Sequence, residues 1–171
     1  MEHYIATALV QAEPAFRVTP ANGKTYISEP GWPISLDSKC ITPGYKVVNP
    51  DGTTRWMPTE QFEDAHLKLS VNPNLRTSAP SISEKMVGEF IAEVDVQTLG
   101  AKTTVVRATL KNGFEIVESS SCVSAANYDE NVGFEICMKK IKDKVWFLLG
   151  FLLQTAVGGV SGTHGTCEEE E

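Results

Sequence analysis

Two runs of β-branched and aromatic residues, Thr103 to Leu110 and Phe114 to Ser119, flank Lys111-Asn112-Gly113, and no other segment limits the possible folds so much. An Asn-Gly pair suits a two-residue type I′ turn, because both central residues there need φ above zero. Placing Asn112 and Gly113 in the turn sets Lys111 opposite Phe114 and Leu110 opposite Glu115. Helical patterns lie on both sides of this hairpin. Before it, Ser81-Ile82-Ser83-Glu84 reads as a capping box, in which the Ser81 hydroxyl takes an orphan amide and Glu84 reaches back. The helix it opens carries Ile82, Met86, Phe90 and Ile91 inward. After the hairpin, Asn127-Tyr128-Asp129 leads into a helix ending near Gln154. Along it Phe134, Cys137, Ile141, Val145, Leu148 and Leu152 recur at steps of three and four, the spacing of a packing stripe. From Val145 to Leu153 apolar residues wrap almost the whole helix, so Trp146 is expected to be buried. Val145, Trp146, Leu149 and Leu153 are the expected contacts with another copy of the chain.

The first part of the chain is different in kind. It holds most of the prolines and short apolar runs between turn formers, the marks of a small β-rich module. His3 to Val10 reads as a first strand closed by Pro14. Gly44 to Val48 and Thr53 to Met57 read as two strands joined by Asn49-Pro50-Asp51-Gly52, where proline presets one φ and glycine supplies a positive one. Pro58 to Leu67 reads as a short helix with Phe62, Ala65 and Leu69 on one face. The resulting organisation is α+β: a β-rich module over 1–69, a linker over 70–80, a domain of helix, β-hairpin and long carboxy-terminal helix over 81–154, and a disordered acidic tail over 155–171.

Charge narrows the partners. Fifteen basic against 22 acidic side chains give a formal net charge of −7, the wrong sign for a surface that tracks phosphates, so direct nucleic-acid binding is not expected. No basic segment followed by an apolar one opens the sequence, and the run Val145 to Leu153 is far short of the roughly 20 residues that span a bilayer. Scattered Cys40, Cys122, Cys137 and Cys167 suit free thiols in a reducing cytosol.

Catalytic and metal patterns fail one after another. Gly23-Lys24-Thr25 would need its first loop glycine at Val18. His164 and Cys167 lack further ligands, and Ser161 has Thr163 where a nucleophile elbow requires its second glycine. His3 and His66 have no acid or nucleophile spaced to use them. No enzyme, cofactor or metal is therefore expected. Two binding constellations remain: Tyr45, Asp51, Arg55 and Trp56 around the first hairpin, able to stack on a planar ligand or grip its phosphate, and Ser119 to Cys122 with Asn127-Tyr128-Asp129, a polar linker beside helix amides that attract an anion. The plainer readings are that Trp56 fills a small core and that Asn127 or Asp129 caps the helix.

The segment Leu110 to Ser119, with Cys122-Val123, Asn127-Tyr128-Asp129, Gly133, Lys142 to Trp146 and Gly150 to Leu153, resembles the gp-forty-nine/gene-sixty-six family of tailed-bacteriophage proteins from about Ala79 to Gln154. Phe147-Leu148 departs from the more polar sequence expected there. Tyr4 to Thr7, Ala12-Glu13-Pro14, Pro43 to Val47, Pro50-Asp51-Gly52 and Trp56-Met57-Pro58 leading to Phe62 are similar to a module at the front of many small phage proteins. In some of those it precedes a sponge domain that sequesters nucleotide-derived immune signals; that domain is absent here. The resemblance implies phage origin, the host cytoplasm and no inherited catalytic residue. The expected role is an oligomeric, non-enzymatic accessory protein that binds a small nucleotide-like ligand, with an acidic inhibitor of a host protein as the alternative.

Overall fold

A computed structural model describes residues 6–21, 23–31, 34, 38–76 and 79–161. His3, Trp32, His164, Cys167 and most of the acidic tail lie outside them. The fold is α+β, as expected, and the chain divides into two compact units: Met1–Lys68 with Thr155–Glu171, and Leu69–Gln154.

In the first unit β1 (Gln11–Pro20), β2 (Tyr26–Ser28), β3 (Ser38–Val48) and β4 (Thr54–Pro58) form an antiparallel sheet in the order β2-β1-β3-β4. The first strand thus starts after the expected one and runs through Pro14, because β2 pairs only with Phe16 to Val18 and leaves β1 an open flank at Pro14, where a missing N–H is tolerated. The β3–β4 turn is as expected: Gly52 has φ 79°, its amide donates to the Asn49 carbonyl at 2.9 Å, and the Asp51 carboxylate accepts from the Thr53 amide at 2.8 Å. Hydrogen bonding to Thr53 holds the Asp51 carboxyl below its ordinary value. Helix α1 (Thr59–Ala65) follows directly. Phe62 stacks on Tyr45 with ring centroids 4.2 Å apart, but Ala65 is exposed, and Leu69 packs in the other unit's core instead of on this helix.

In the second unit α2 (Glu84–Phe90) precedes an antiparallel sheet of β5 (Ile91–Leu99), β6 (Thr103–Leu110) and β7 (Glu115–Ser121), then a 3₁₀ turn (Ala125–Asn127) and α3 (Glu130–Gly158). The cap of α2 is Ser83, whose hydroxyl accepts from the Met86 amide, so the expected box at Ser81 is displaced by two residues. The shift buries Val87 beside Met86 and releases Ile91 to begin a strand that the sequence reading left out. Part of the expected linker is fixed to this unit: Asn72 is buried and donates to the Ile82 carbonyl at 2.8 Å, and Ser70 and Ser83 share a hydrogen bond of 2.5 Å.

The hairpin is present with its register moved by one. Thr109, not Leu110, faces Glu115, and Leu110 and Phe114 close a three-residue loop through the bond from Leu110 N to Phe114 O at 2.8 Å. Only Gly113 has positive φ, at 81°; Asn112 does not, so the type I′ turn is replaced by one that ends in a glycine. The Asn112 side chain accepts from the Phe114 amide at 3.1 Å instead. Gly113→Ala is expected to cost about 1 to 2 kcal/mol, the penalty for a Cβ in the left-handed region, with a matching fall in the chemical denaturation midpoint.

Val106, Ala108 and Leu110 of β6 and Ile116 of β7 face Cys137, Ile141, Val145 and Leu149 of α3 across one core. The buried row of α3 therefore advances by fours after Cys137. Leu148 and Leu152, expected in the stripe, are 37% and 41% exposed, and Trp146, expected inside, is 42% exposed. A sheet covers only one side of a helix, so an apolar residue off that side stays outside however apolar it is. Gly133 gives α3 its close seat: a Cβ there would come within 2.6 Å of the Thr104 Cβ. Burial raises the Cys137 thiol pKa, which fits a packing role for that residue.

Candidate functional site

The first constellation lies on the β1-β3-β4 sheet, and strand alternation splits it. The register pairs Tyr45 with Met57 and Val47 with Arg55, whereas Lys46 pairs with Trp56, so Tyr45 and Arg55 share one face and Trp56 lies on the other. The expected partnership of Arg55 with the Trp56 indole is not formed. Arg17 takes that place from β1, with its guanidinium carbon 5.5 Å from the indole centroid. Sequence reasoning missed Arg17 because the contact crosses two strand pairings. The register that pairs Arg17 with Thr42 puts it on the face of Lys46 and Trp56.

The indole lies over a seat made by Gly44, where a Cβ would come within 2.7 Å of Trp56 Cε2 and Cζ2. Ala15, paired with Gly44, is buried. These small residues support the reading in which Trp56 fills a small core. The indole N–H is enclosed without an acceptor, a cost of about 1 to 3 kcal/mol that a bonded partner would recover. Lys46 in the same row is held by Glu29 at 2.7 Å and Glu13 at 3.1 Å, and these hydrogen bonds raise its pKa. Its charge is thereby matched locally.

On the other face Tyr45, Phe62 and His66 form a stack, each neighbouring pair of centroids 4.2 Å apart. The Tyr45 hydroxyl donates to Glu63 Oε1 at 3.1 Å, and that bond raises the phenol pKa. One ring face of Tyr45 is thus taken by Phe62.

Asn127 belongs to the second unit, in the 3₁₀ turn before α3. The anion expected at the helix amides is replaced by a side chain of the same chain: Asp129 Oδ1 accepts from Asn131 N at 2.8 Å and Val132 N at 3.3 Å. Next to the cap, Thr98 Oγ1 donates to Glu130 Oε1 and lies 2.7 Å from the Tyr128 hydroxyl, which lies 3.0 Å from Thr104 Oγ1. A carboxylate only accepts, so the Thr98 proton goes to Glu130, Tyr128 donates to Thr98, and Thr104 donates to Tyr128. This chain of bonds fastens the start of α3 to β5 and β6.

Of the expected oligomer contacts, Val145 and Leu149 are enclosed in the core and Leu153 packs against it. Only Trp146 remains outside, and Phe147, 74% exposed, stands beside it. Between α2 and α3 an open groove of about 340 Å³ is lined by Val87, Met138 and Trp146 together with charged residues such as Glu84 and Lys142. Among the described residues no group of three His, Cys, Asp or Glu side chains could hold a metal, and no helix is long and apolar enough to cross a membrane.

No curated protein and no solved structure matches the chain. Residues 82–157 match the model described as Phage protein (N4 Gp49/phage Sf6 gene 66) family, in agreement with the resemblance read from about Ala79 to Gln154; residues 1–81 lie outside that match. With α2, the three-stranded sheet and all but the last residue of α3 inside the matched segment, the protein is a bacteriophage protein whose second unit is similar to this family.

Proposed function

We propose that the protein is a phage accessory protein that works in the host cytoplasm by binding, without chemistry of its own, and that its main contact surface is the uncharged half of α3. The observation that carries this reading is the exposure of Trp146, Phe147, Leu148 and Leu152 on a stretch of helix that has no charged residue after Lys144. Clustered apolar surface of this kind marks interaction sites, and aromatic residues dominate binding energy where they are enclosed. The net charge of −7 favours basic host partners, including proteins that handle nucleic acid.

Affinity capture from host lysate with the wild type and with Phe147→Glu tests the reading. A host protein retained by the wild type and lost with the variant is the expected result; identical recovery with both would remove α3 as the surface.

A second reading, sequestration of a nucleotide-like signal, is favoured by Arg17 over Trp56 and by the enclosed indole N–H. Calorimetric titration with cyclic dinucleotides, cyclic trinucleotides and cyclic ADP-ribose isomers tests it. Binding that weakens in Arg17→Ala and returns the ligand unchanged supports it, and absence of heat with all of them overturns it.

A further inference from the structure

We infer that Arg17 and the indole N–H of Trp56 form one receptor for a phosphodiester group, whose oxygens take both donors while no base stacks on the indole. The inference rests on the reading of this site as one for a nucleotide-like ligand and names the group that it recognises.

Among the described residues, Trp56 Nε1 is the one enclosed side-chain polar atom without a hydrogen-bond partner. An indole N–H only donates, so the missing partner is an acceptor. Arg17 supplies a second unanswered donor. Its guanidinium carbon lies over the same ring, 5.5 Å from the centroid, and the ion pairs of this unit among the described residues, those of Lys46 with Glu13 and Glu29, leave it out. Gly44 backs the ring at Cε2, the atom that carries Nε1, while Arg17 lies over it, so a ligand meets the N–H and the guanidinium instead of a face for stacking. Arg17 is exposed and its stem is flexible, so its head can lift from the ring while β1 and β3 stay paired. An anion with two equivalent oxygens then gives one to the guanidinium and the other to the indole N–H.

Charge selects the group. Lys46 stands in the row of Trp56 and is held by two carboxylates, Glu29 at 2.7 Å and Glu13 at 3.1 Å, which leaves one negative charge over. Arg17 adds the positive charge that balances it. A phosphate monoester near neutral pH would bring close to two negative charges where one guanidinium answers one. A phosphodiester brings one, and it keeps two oxygens free to accept.

Calorimetric titration of the full chain with cyclic diadenosine monophosphate, whose phosphates are diesters, and with adenosine monophosphate, a monoester, tests the inference at about pH 8, where the monoester is dianionic. Nitrogen–proton correlation spectra follow the same titrations, with the Trp56 indole signal identified as the one missing from Trp56→Phe. The cyclic compound is expected to bind more tightly than the monoester and to move the Trp56 signal. Arg17→Ala is expected to weaken that binding about tenfold or more, the worth of one charge-assisted hydrogen bond, and to melt as the wild type does because Arg17 is exposed. A Trp56 signal that stays in place at saturation, an Arg17→Ala variant that binds as the wild type does, or a monoester that binds as tightly would overturn the inference. In each of those cases a nucleotide still bound elsewhere leaves sequestration standing and rejects only this site, whereas no heat with any nucleotide rejects both.

Discussion

Ile141→Ala is expected to destabilise the second unit by about 2 to 5 kcal/mol, whereas Trp146→Ala five residues later is expected to change its stability by about 0.5 kcal/mol or less. Ile141 is 0% exposed at the centre of the cluster that joins α3 to β6 and β7, so truncation removes buried methyl groups and leaves a cavity. Trp146 is the larger side chain, but it is 42% exposed and outside that cluster. Urea denaturation of both variants, followed by circular dichroism, gives the comparison. Equal losses would mean that the indole is covered within the folded chain. The test is best made at low protein concentration, because assembly through α3 would add stability to the wild type by mass action.

Gly44→Ala is the second large effect and concerns the first unit. The added methyl would meet the Met57 carbonyl oxygen and approach Trp56 Cε2 and Cζ2 to 2.7 Å. The carbonyl belongs to the β4 strand paired with β3, so it cannot withdraw without loosening that pairing. The expected cost is about 1 to 3 kcal/mol, the range for overpacking. Tryptophan fluorescence of the variant is expected to shift to longer wavelength as the indole leaves its seat and meets water. An unchanged spectrum with unchanged stability would show that strand and ring have room to move. If Arg17 and Trp56 hold a ligand, the same substitution also abolishes its binding.

Much of the architecture was legible because it rests on local chemistry. Asn49-Pro50-Asp51-Gly52 and Lys111-Asn112-Gly113 place turns wherever the rest of the chain goes, and Cys137, Ile141 and Val145 mark the buried side of α3 by their spacing. The cap on α3 was also readable, since Asp129 needs only the amides of Asn131 and Val132. Boundaries were less secure. Moving the α2 cap from Ser81 to Ser83 turns Ile91 from a helix residue into the start of β5, and that strand's Glu93 and Asp95 disguise it in a linear reading.

The candidate sites were decided by contacts between elements distant in sequence. Arg55 is adjacent to Trp56 in the chain, yet alternation along β4 sends the two side chains to opposite faces, and the cation that reaches the indole is Arg17, brought by the pairing of β1 with β3 and β3 with β4. On α3 the sequence determined that the helix is long, apolar and uncharged after Lys144. Only the tertiary structure decided that Val145 and Leu149 lie inside while Trp146 and Phe147 lie outside, because a helix on a sheet has one covered side and its direction is set by the packing partner, not by hydrophobicity alone.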